Sequence, residues 1–336
     1  MTPAQRVSEV FSKAGRQLLI ALMEATIGSG FTEIVANDFR NVGEDRHKKF
    51  LIIVGLASIH RSTLSSQVVG AALSNLGIEE DVNKMSMETE GIIVSNTNKY
   101  SARHPVYVRE LFEKIAPTAM IRDCLVAVLE AFSSYETPVI KHVGKADGVV
   151  FKSIINHRFV KEMMHGDIEK VLSVYETFET KFHIDGLYWL QYGLALRDFD
   201  RHPEALEKLK TAREAYNSPH IEHAYAQQLM IIASMASTWD DAEPLLVEAM
   251  DTLRTLNRAA DAEDTYPIVT LSEGHISIVL KFKDVEAAQK IAQQYANELL
   301  VAHHKHSSTR LESAVQKVVT FATNGIWTES YGPDSV

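Results

Sequence analysis

The sequence has a single cysteine, Cys124, in 336 residues. One thiol closes no internal disulfide and builds no thiolate metal site, so neither device holds this chain together. Glycine and proline are sparse too, 16 and 9 residues, well under the roughly 12% of average usage. Sandwiches, propellers and barrels need more turn punctuation than that. The longest apolar run, Leu51 to Ala57, falls far short of the roughly 20 residues a membrane span requires. Met1-Thr2-Pro3-Ala4-Gln5-Arg6 has no apolar signal core behind it, so the expected compartment is the cytoplasm. Catalytic signatures are missing as well: the sequence holds no GxxxxGK[ST], GxSxG, HExxH or CxxC. His142-Val143-Gly144-Lys145-Ala146-Asp147 lacks the hydroxyl and the upstream glycine of a phosphate loop, and Gly28-Ser29-Gly30 is a helix stop.

What remains is a chain that is 46% hydrophobic with aromatics throughout, which is long enough for two domains. Charge is divided unevenly. Residues 1–150 carry 16 basic and 17 acidic side chains, whereas residues 151–336 carry 18 and 27. Nearly all of the net charge of −10 therefore belongs to the second part. An acidic surface repels phosphate backbones and suits a basic partner.

Val7, Val10, Phe11, Ala14, Leu18, Leu22 and Ala25 recur at helical spacing, and Phe31 to Phe39 continues a helical lead-in over residues 1–45. Over residues 46–140 the order is helix (Asp45 to Ile59), turn (Ser62 to Leu64), helix (Ser65 to Leu76) and a short helix (Glu80 to Met87). A ribbon follows, with its strand at Gly91 to Val94, its turn at Ser95 to Asn98 and its return from Lys99. That is the order of a winged helix. Base readout needs Arg, Lys, Asn or Gln on the second helix. From Ser62 through Asn83 there is no Lys or Arg, and only Gln67 and Asn75 are available, so the expectation is packing on a neighbouring domain, the alternatives being a transcriptional regulator that reads DNA with this helix or a plain repeat scaffold. Helices at Val106 to Ile115 and Thr118 to Phe132 follow, and Lys141 to Asp147 reads as a domain linker.

Over residues 149–330 helix follows helix with an internal repeat. Trp189 and Gly193 are followed by Ala205, Leu209 and Ala212, the tetratricopeptide phasing in which small residues let two antiparallel helices approach closely. The signature returns at Ala242, Leu246 and Ala249, and in looser form at Ile168, Leu172 and Tyr175 and at Ala287, Ile291 and Gln294. Four helix pairs are expected. The fold class is thus mainly α: a helical, winged-helix-like N-terminal domain followed by a tetratricopeptide-like α-superhelix.

Candidate sites follow from this layout. Arg103 and His104 stand at a helix N-terminus, where backbone N–H groups and the helix dipole favour an anion. The face of the first helix in the clearest repeat carries Leu187, Leu190, Leu194, Arg197 and Asp198. Three leucines in an open groove imply a covering partner or a closed superhelix. The acidic run of Asp240, Asp241, Asp261, Glu263 and Asp264 could dock a basic protein. The pair His220 and His223 and the cluster His303, His304 and His306 place at most two ligands on one face, so no metal site is expected. No catalytic constellation can be named, and the chain is expected to be no enzyme.

The order of parts resembles a known family. Gly15-Arg16-Gln17-Leu18-Leu19-Ile20-Ala21-Leu22 leads to Gly28-Ser29-Gly30-Phe31-Thr32-Glu33-Ile34-Val35. The winged-helix-like trio, Tyr100-Ser101-Ala102-Arg103-His104-Pro105-Val106-Tyr107 and Tyr188-Trp189-Leu190-Gln191-Tyr192-Gly193 follow. Together these resemble the part of bacterial STAND NTPases that lies C-terminal to the ATPase core. The resemblance implies a sensor of a nucleotide-operated switch, in many members linked to antiphage defence. It implies a protein ligand, either a phage protein or a P-loop NTPase or effector subunit. It also implies a winged-helix His, here His104 with Arg103, that touches the nucleotide phosphate. ATP or ADP and Mg²⁺ would require a separate nucleotide-binding domain, because the family's phosphate loop and acidic strand should precede these segments. The expectation is a separately encoded or truncated sensor half.

Overall fold

The computed structural model describes residues 30–259, 264–306 and 308–327. The expected helix over residues 7–25, Asp261, Glu263 and the tail from Tyr331 lie outside the described residues. The chain divides into two compact units between Val174 and Tyr175. Both are mainly α-helical. Among the described residues no helix is long and apolar enough to cross a membrane.

The first unit contains α1 (Phe31–Asn41), α2 (Asp45–Ser58), β1 (Leu64–Ser65), α3 (Ser66–Asn75), α4 (Val82–Glu88), β2 (Ile93–Asn96) and β3 (Lys99–Ala102). It continues with α5 (Pro105–Lys114), α6 (Thr118–Phe132), α7 (Val139–His142), α8 (Lys145–Ile154), α9 (His157–Met163) and α10 (Ile168–Glu176), within which the boundary falls. Helix α2 is central: Phe50 through Ser58 are all buried, as the unbroken apolar run requires. Helices α5 and α6 and strand β3 pack on it. The Ser58 hydroxyl donates to Val54 O and accepts from Ala102 N–H at 2.6 Å, which ties α2 to the sheet. Cys124 is buried on α6, and burial pushes its thiol up to about 12.

Strand β3 lies between β1 and β2 and is antiparallel to both. Its Tyr100 pairs with Leu64 on one side and Ser95 on the other, and its ring meets Phe50 edge-on at 6.1 Å. The hairpin turn is only Thr97-Asn98, both at positive φ (51° and 59°), the conformation that matches strand twist. Leu64, expected in a turn, is strand instead, since two residues are too few to show alternation.

The expected linker is a correction. Residues 141–147 end α7 and begin α8, and Asp147 is buried, its Oδ1 accepting from Ser65 N–H at 2.9 Å. The Ser62 hydroxyl donates to Ala146 O. Gly144 and Gly148, which suggested flexibility, sit at the N-cap and inside α8. Residues 149–174 accordingly belong to the first unit, and the repeats begin later than Val149.

The second unit has α11 (Gly186–Asp198), α12 (His202–Ala215), α13 (Pro219–Met235), α14 (Trp239–Ala259), α15 (Tyr266–Phe282), α16 (Val285–Lys305) and α17 (Thr309–Asn324). Consecutive helices pack together, and so do α11 with α13, α13 with α15 and α15 with α17. This is tetratricopeptide order: hairpins stacked through their first helices. Among the described residues of this unit, three pairs and a final helix stand where four pairs were expected. Ala205, Leu209 and Ala212, and again Ala242, Leu246 and Ala249, are buried as the repeat demands. The third unit of the repeat is phased one residue later than expected. Ala288, Ala292 and Tyr295 are buried while Gln294 is exposed. At the first looser match, Ile168 is exposed.

A Cβ on Gly193 would stand 2.7 Å from Leu209 Cγ and 3.2 Å from Ala205 O, and one on Gly186 would stand 2.6 Å from Tyr216 Cβ. Hairpin α11–α12 closes only because both positions lack a side chain. Gly193→Val should therefore cost the second unit about 2–3 kcal/mol by overpacking, read from its urea transition. Gly70→Ala, whose Cβ would meet nothing nearer than Val82 Cγ2 at 3.7 Å, should gain up to about 1 kcal/mol from helix propensity.

Candidate functional site

Arg103 and His104 join β3 to α5 in the first unit. The Arg103 guanidinium pairs with Asp38 at 2.6 Å, lies 4.5 Å over the Tyr107 ring and reaches Gly91 O at 3.4 Å. His104 is the N-cap of α5, its Nδ1 accepting from Val106 N–H at 3.1 Å. Both side chains thus have partners within the unit, and Asp38 supplies an anion to Arg103. A cleft of about 440 Å³ opens beside His104, lined also by Ser58, Arg61, Thr63, Ser101 and Val106. Arg61 is exposed there, with φ of 54°. It was missed because nothing in its sequence neighbourhood announces a cleft.

The candidate reading helix, α3, packs its buried Val68, Val69, Ala72 and Leu73 into the unit, chiefly against α6. Asn75, one of two residues able to read a base, donates to Ala127 O on α6. The helix was expected to pack on a neighbouring domain; its apolar face is instead covered by α6 of its own unit.

In the second unit the five residues named on α11 do not line an open groove. Leu190 is buried, and Leu187, Leu194, Arg197 and Asp198 are intermediate. Arg197 spends its guanidinium on α13. Its Nε donates to Gln228 Oε1 at 2.8 Å, Nη1 to Gln227 Oε1 at 2.7 Å and Nη2 to Ala224 O at 2.6 Å. Gln228, fully buried, passes the chain on to His202 O at 3.1 Å. Burial lowers the Arg197 pKa to about 10, so it stays charged at neutral pH. Arg197 is corrected from a partner contact to a seam residue, because a desolvated guanidinium must find acceptors close by.

Of the acidic run, Asp240, Asp241 and Asp264 are exposed; Asp261 and Glu263 lie outside the described residues. Thr238 caps α14, its hydroxyl accepting from Asp241 N–H at 3.2 Å and donating to Asp241 Oδ2 at 2.6 Å. Beside it is an apolar cleft of about 390 Å³ walled by Pro203, Ile232, Met235, Ala236, Asp241 and Leu245. Met235 is 59% exposed. Here the C-terminus of α13 meets the first turns of α12 and α14. Lys281 already lies on that C-terminus, its ammonium on Ser234 O and on Ala236 O at 3.1 Å, as the negative end of a helix favours. Sequence reasoning found Asp240 and Asp241 but not the apolar floor, which three helix ends build together.

The histidines do not converge. His220 is exposed, whereas His223 Nε2 is bonded to Thr270 Oγ1 at 3.0 Å across α13 and α15. His275 Nδ1 is bonded to the Tyr295 hydroxyl at 3.0 Å across α15 and α16. Burial, reinforced by Arg310 and Arg254 respectively, lowers both imidazoles to about 4.

No protein-family model matches this sequence, and no curated protein matches it. Among solved structures it is similar to a signal transduction ATPase with numerous domains (STAND) with a tetratricopeptide repeat sensor from Pyrococcus horikoshii. The identity is 12% and the TM-score 0.28, over 88% of this chain and 47% of that one. The chain thus spans about half the length of the protein it matches.

Two outcomes are expected. Arg197→Ala strands Gln228 and the Ala224 carbonyl and should destabilise the second unit by at least about 2 kcal/mol in urea, while Arg103→Ala should leave that unit's transition unchanged. The second concerns acid. His223 and His275 take up protons near pH 6.5 when unfolded but only near 4 when folded. Their contribution is complete above pH 6.5 and declines as pH falls towards 4. The second unit's melting temperature should drop between pH 7 and 5, and less steeply in His223→Gln/His275→Gln. Equal slopes would exclude these two histidines.

Proposed function

We propose that the chain is a non-enzymatic sensor and protein-interaction module of a STAND-type switch, serving in bacterial antiphage defence. Its helical repeats recognise a basic protein segment, either of a phage protein or of an associated P-loop NTPase or effector subunit. The observation that carries this is the cleft at the ends of α12, α13 and α14: an apolar floor with an exposed methionine and Asp241 in its wall, with the exposed Asp240 next to Asp241 in the chain. A segment with one apolar side chain and neighbouring Lys or Arg fits that chemistry.

The first unit supports a winged-helix reading through its order of helix, strand, two helices and hairpin, with β3 central in the sheet. In this proposal it couples repeat occupancy to an attached nucleotide domain and does not read DNA, since α3 packs against α6. A nucleotide phosphate, with its Mg²⁺, held by that domain would meet the cleft of Arg61, Thr63 and His104. This chain alone should turn over no ATP.

Affinity purification with mass spectrometry, with and without phage challenge, tests the proposal. Wild-type chain should retain a partner that Met235→Glu and Asp240→Lys each lose, and salt should weaken the capture. Recovery of the same proteins by wild type and both variants would sink the cleft as the recognition surface.

A further inference from the structure

In the first unit, His47, Glu80 and Glu88 bring one ligand atom each within 4.8 Å of one another. His47 is in the first turn of α2, Glu80 lies just ahead of α4 and Glu88 is the last residue of α4. His47 is buried, and its Nε2 is 2.7 Å from Oε2 of Glu88, which is exposed. Glu80 Oε2 is buried and has no hydrogen-bond partner.

One imidazole nitrogen and two carboxylates form a donor set of the borderline kind that zinc and manganese accept, and two negative charges match a dication. Three protein ligands also leave a position open for water. Ion pairing alone accounts for less of the geometry. Arg46 Nη1 does contact Glu80 Oε1, but the same guanidinium has Glu44, with Nε 3.1 Å from Oε2 and Nη2 3.3 Å from Oε1. Arg46 therefore has a second carboxylate to turn to when a cation takes Glu80. Lys84 stays at 3.9 Å from the outer oxygen of Glu88 and does not enter the cluster. Arg46 compensates the Glu80 charge through Oε1, but Oε2 of the same carboxylate has no donor, and a bound cation would give it a partner.

We propose that His47, Glu80 and Glu88 form a binding site for a divalent transition-metal ion, Zn²⁺ in preference to Mn²⁺. The ion ties both ends of the α4 segment to α2. With 7 residues, α4 is too short to be held by its own hydrogen bonds, so such a tie sets where the helix sits ahead of the hairpin.

Metal-stripped full-length chain titrated with Zn²⁺ by calorimetry should show one saturable site, with weaker uptake of Mn²⁺, and Zn²⁺ should raise the melting temperature of the first unit. His47→Gln and Glu88→Gln should each weaken binding by about a hundredfold or more, beyond what losing an outer-shell hydrogen bond costs. His304→Gln, an exposed histidine elsewhere, should change nothing. Arg46→Met supplies the sharpest arm: removing the competing guanidinium should tighten Zn²⁺ several-fold, whereas a site that is only an ion pair would gain no metal affinity. Should His47→Gln fail to fold by circular dichroism, Glu88→Gln and Arg46→Met decide. No saturable site in the wild type, binding that survives Glu88→Gln, or no tightening in Arg46→Met would overturn the proposal.

Discussion

The approach of α11 to α12 at Gly193 is the constraint on which the repeat unit depends. Where a Cβ would fall within 2.7 Å of Leu209 and 3.2 Å of the Ala205 carbonyl, helix axes come close enough for Ala205, Leu209 and Ala212 to be fully buried. The second hairpin repeats the condition with Ala242, Leu246 and Ala249, and the third meets it with Ala288, Ala292 and Tyr295. Small residues on the second helix of each pair set the spacing, and larger side chains then fill what remains. Around the first hairpin that filling is aromatic: Tyr175 stacks on Tyr192 with ring centroids 5.1 Å apart, and Lys208 lies 4.8 Å over the Tyr192 ring.

Hydrophobic packing alone would let stacked hairpins slide, because one leucine resembles another. The polar seam removes that freedom. Arg197, Gln227 and Gln228 join α11 to α13, His223 and Thr270 join α13 to α15, and His275 and Tyr295 join α15 to α16. A shift of one residue would leave several buried donors and acceptors without partners, at roughly 1–3 kcal/mol each. The helix faces that bury these groups are thereby committed to internal order. In the proposed function, recognition falls to the helix ends, where the exposed Asp241 meets an apolar floor.

Much of this was legible from the sequence and some was not, for physical reasons. The helices from α2 to α6 were readable because breakers and caps mark their ends, as Gly77 and Pro117 do. The repeat was readable where alanines mark close approach. It slipped by one residue in α16 because Ala287 and Ile291 are also apolar, and only the neighbouring hairpin decides which stripe is covered. Site chemistry was harder. Arg103 finds its acid 65 positions earlier, and Arg197 finds Gln228 31 positions later. His47 and Glu88 are 41 apart. Spacing rules register ligands on one helix face and are blind to pairs made by tertiary contact. Asp147 misled for a related reason: a carboxylate among glycines looks solvated until the backbone N–H it serves is known.

That carboxylate also decides how the first unit transmits load. Asp147 accepts from the N–H of Ser65, and Ser65 both pairs with Lys99 in the sheet and caps α3 through its hydroxyl. A pull on α8 therefore arrives at one residue that belongs to strand and helix at once, and no slack segment intervenes to absorb it. That hydrogen bond joins α8 to β1 and to the start of α3 at one residue, so the stretch of chain that looked most like a hinge is pinned to the sheet.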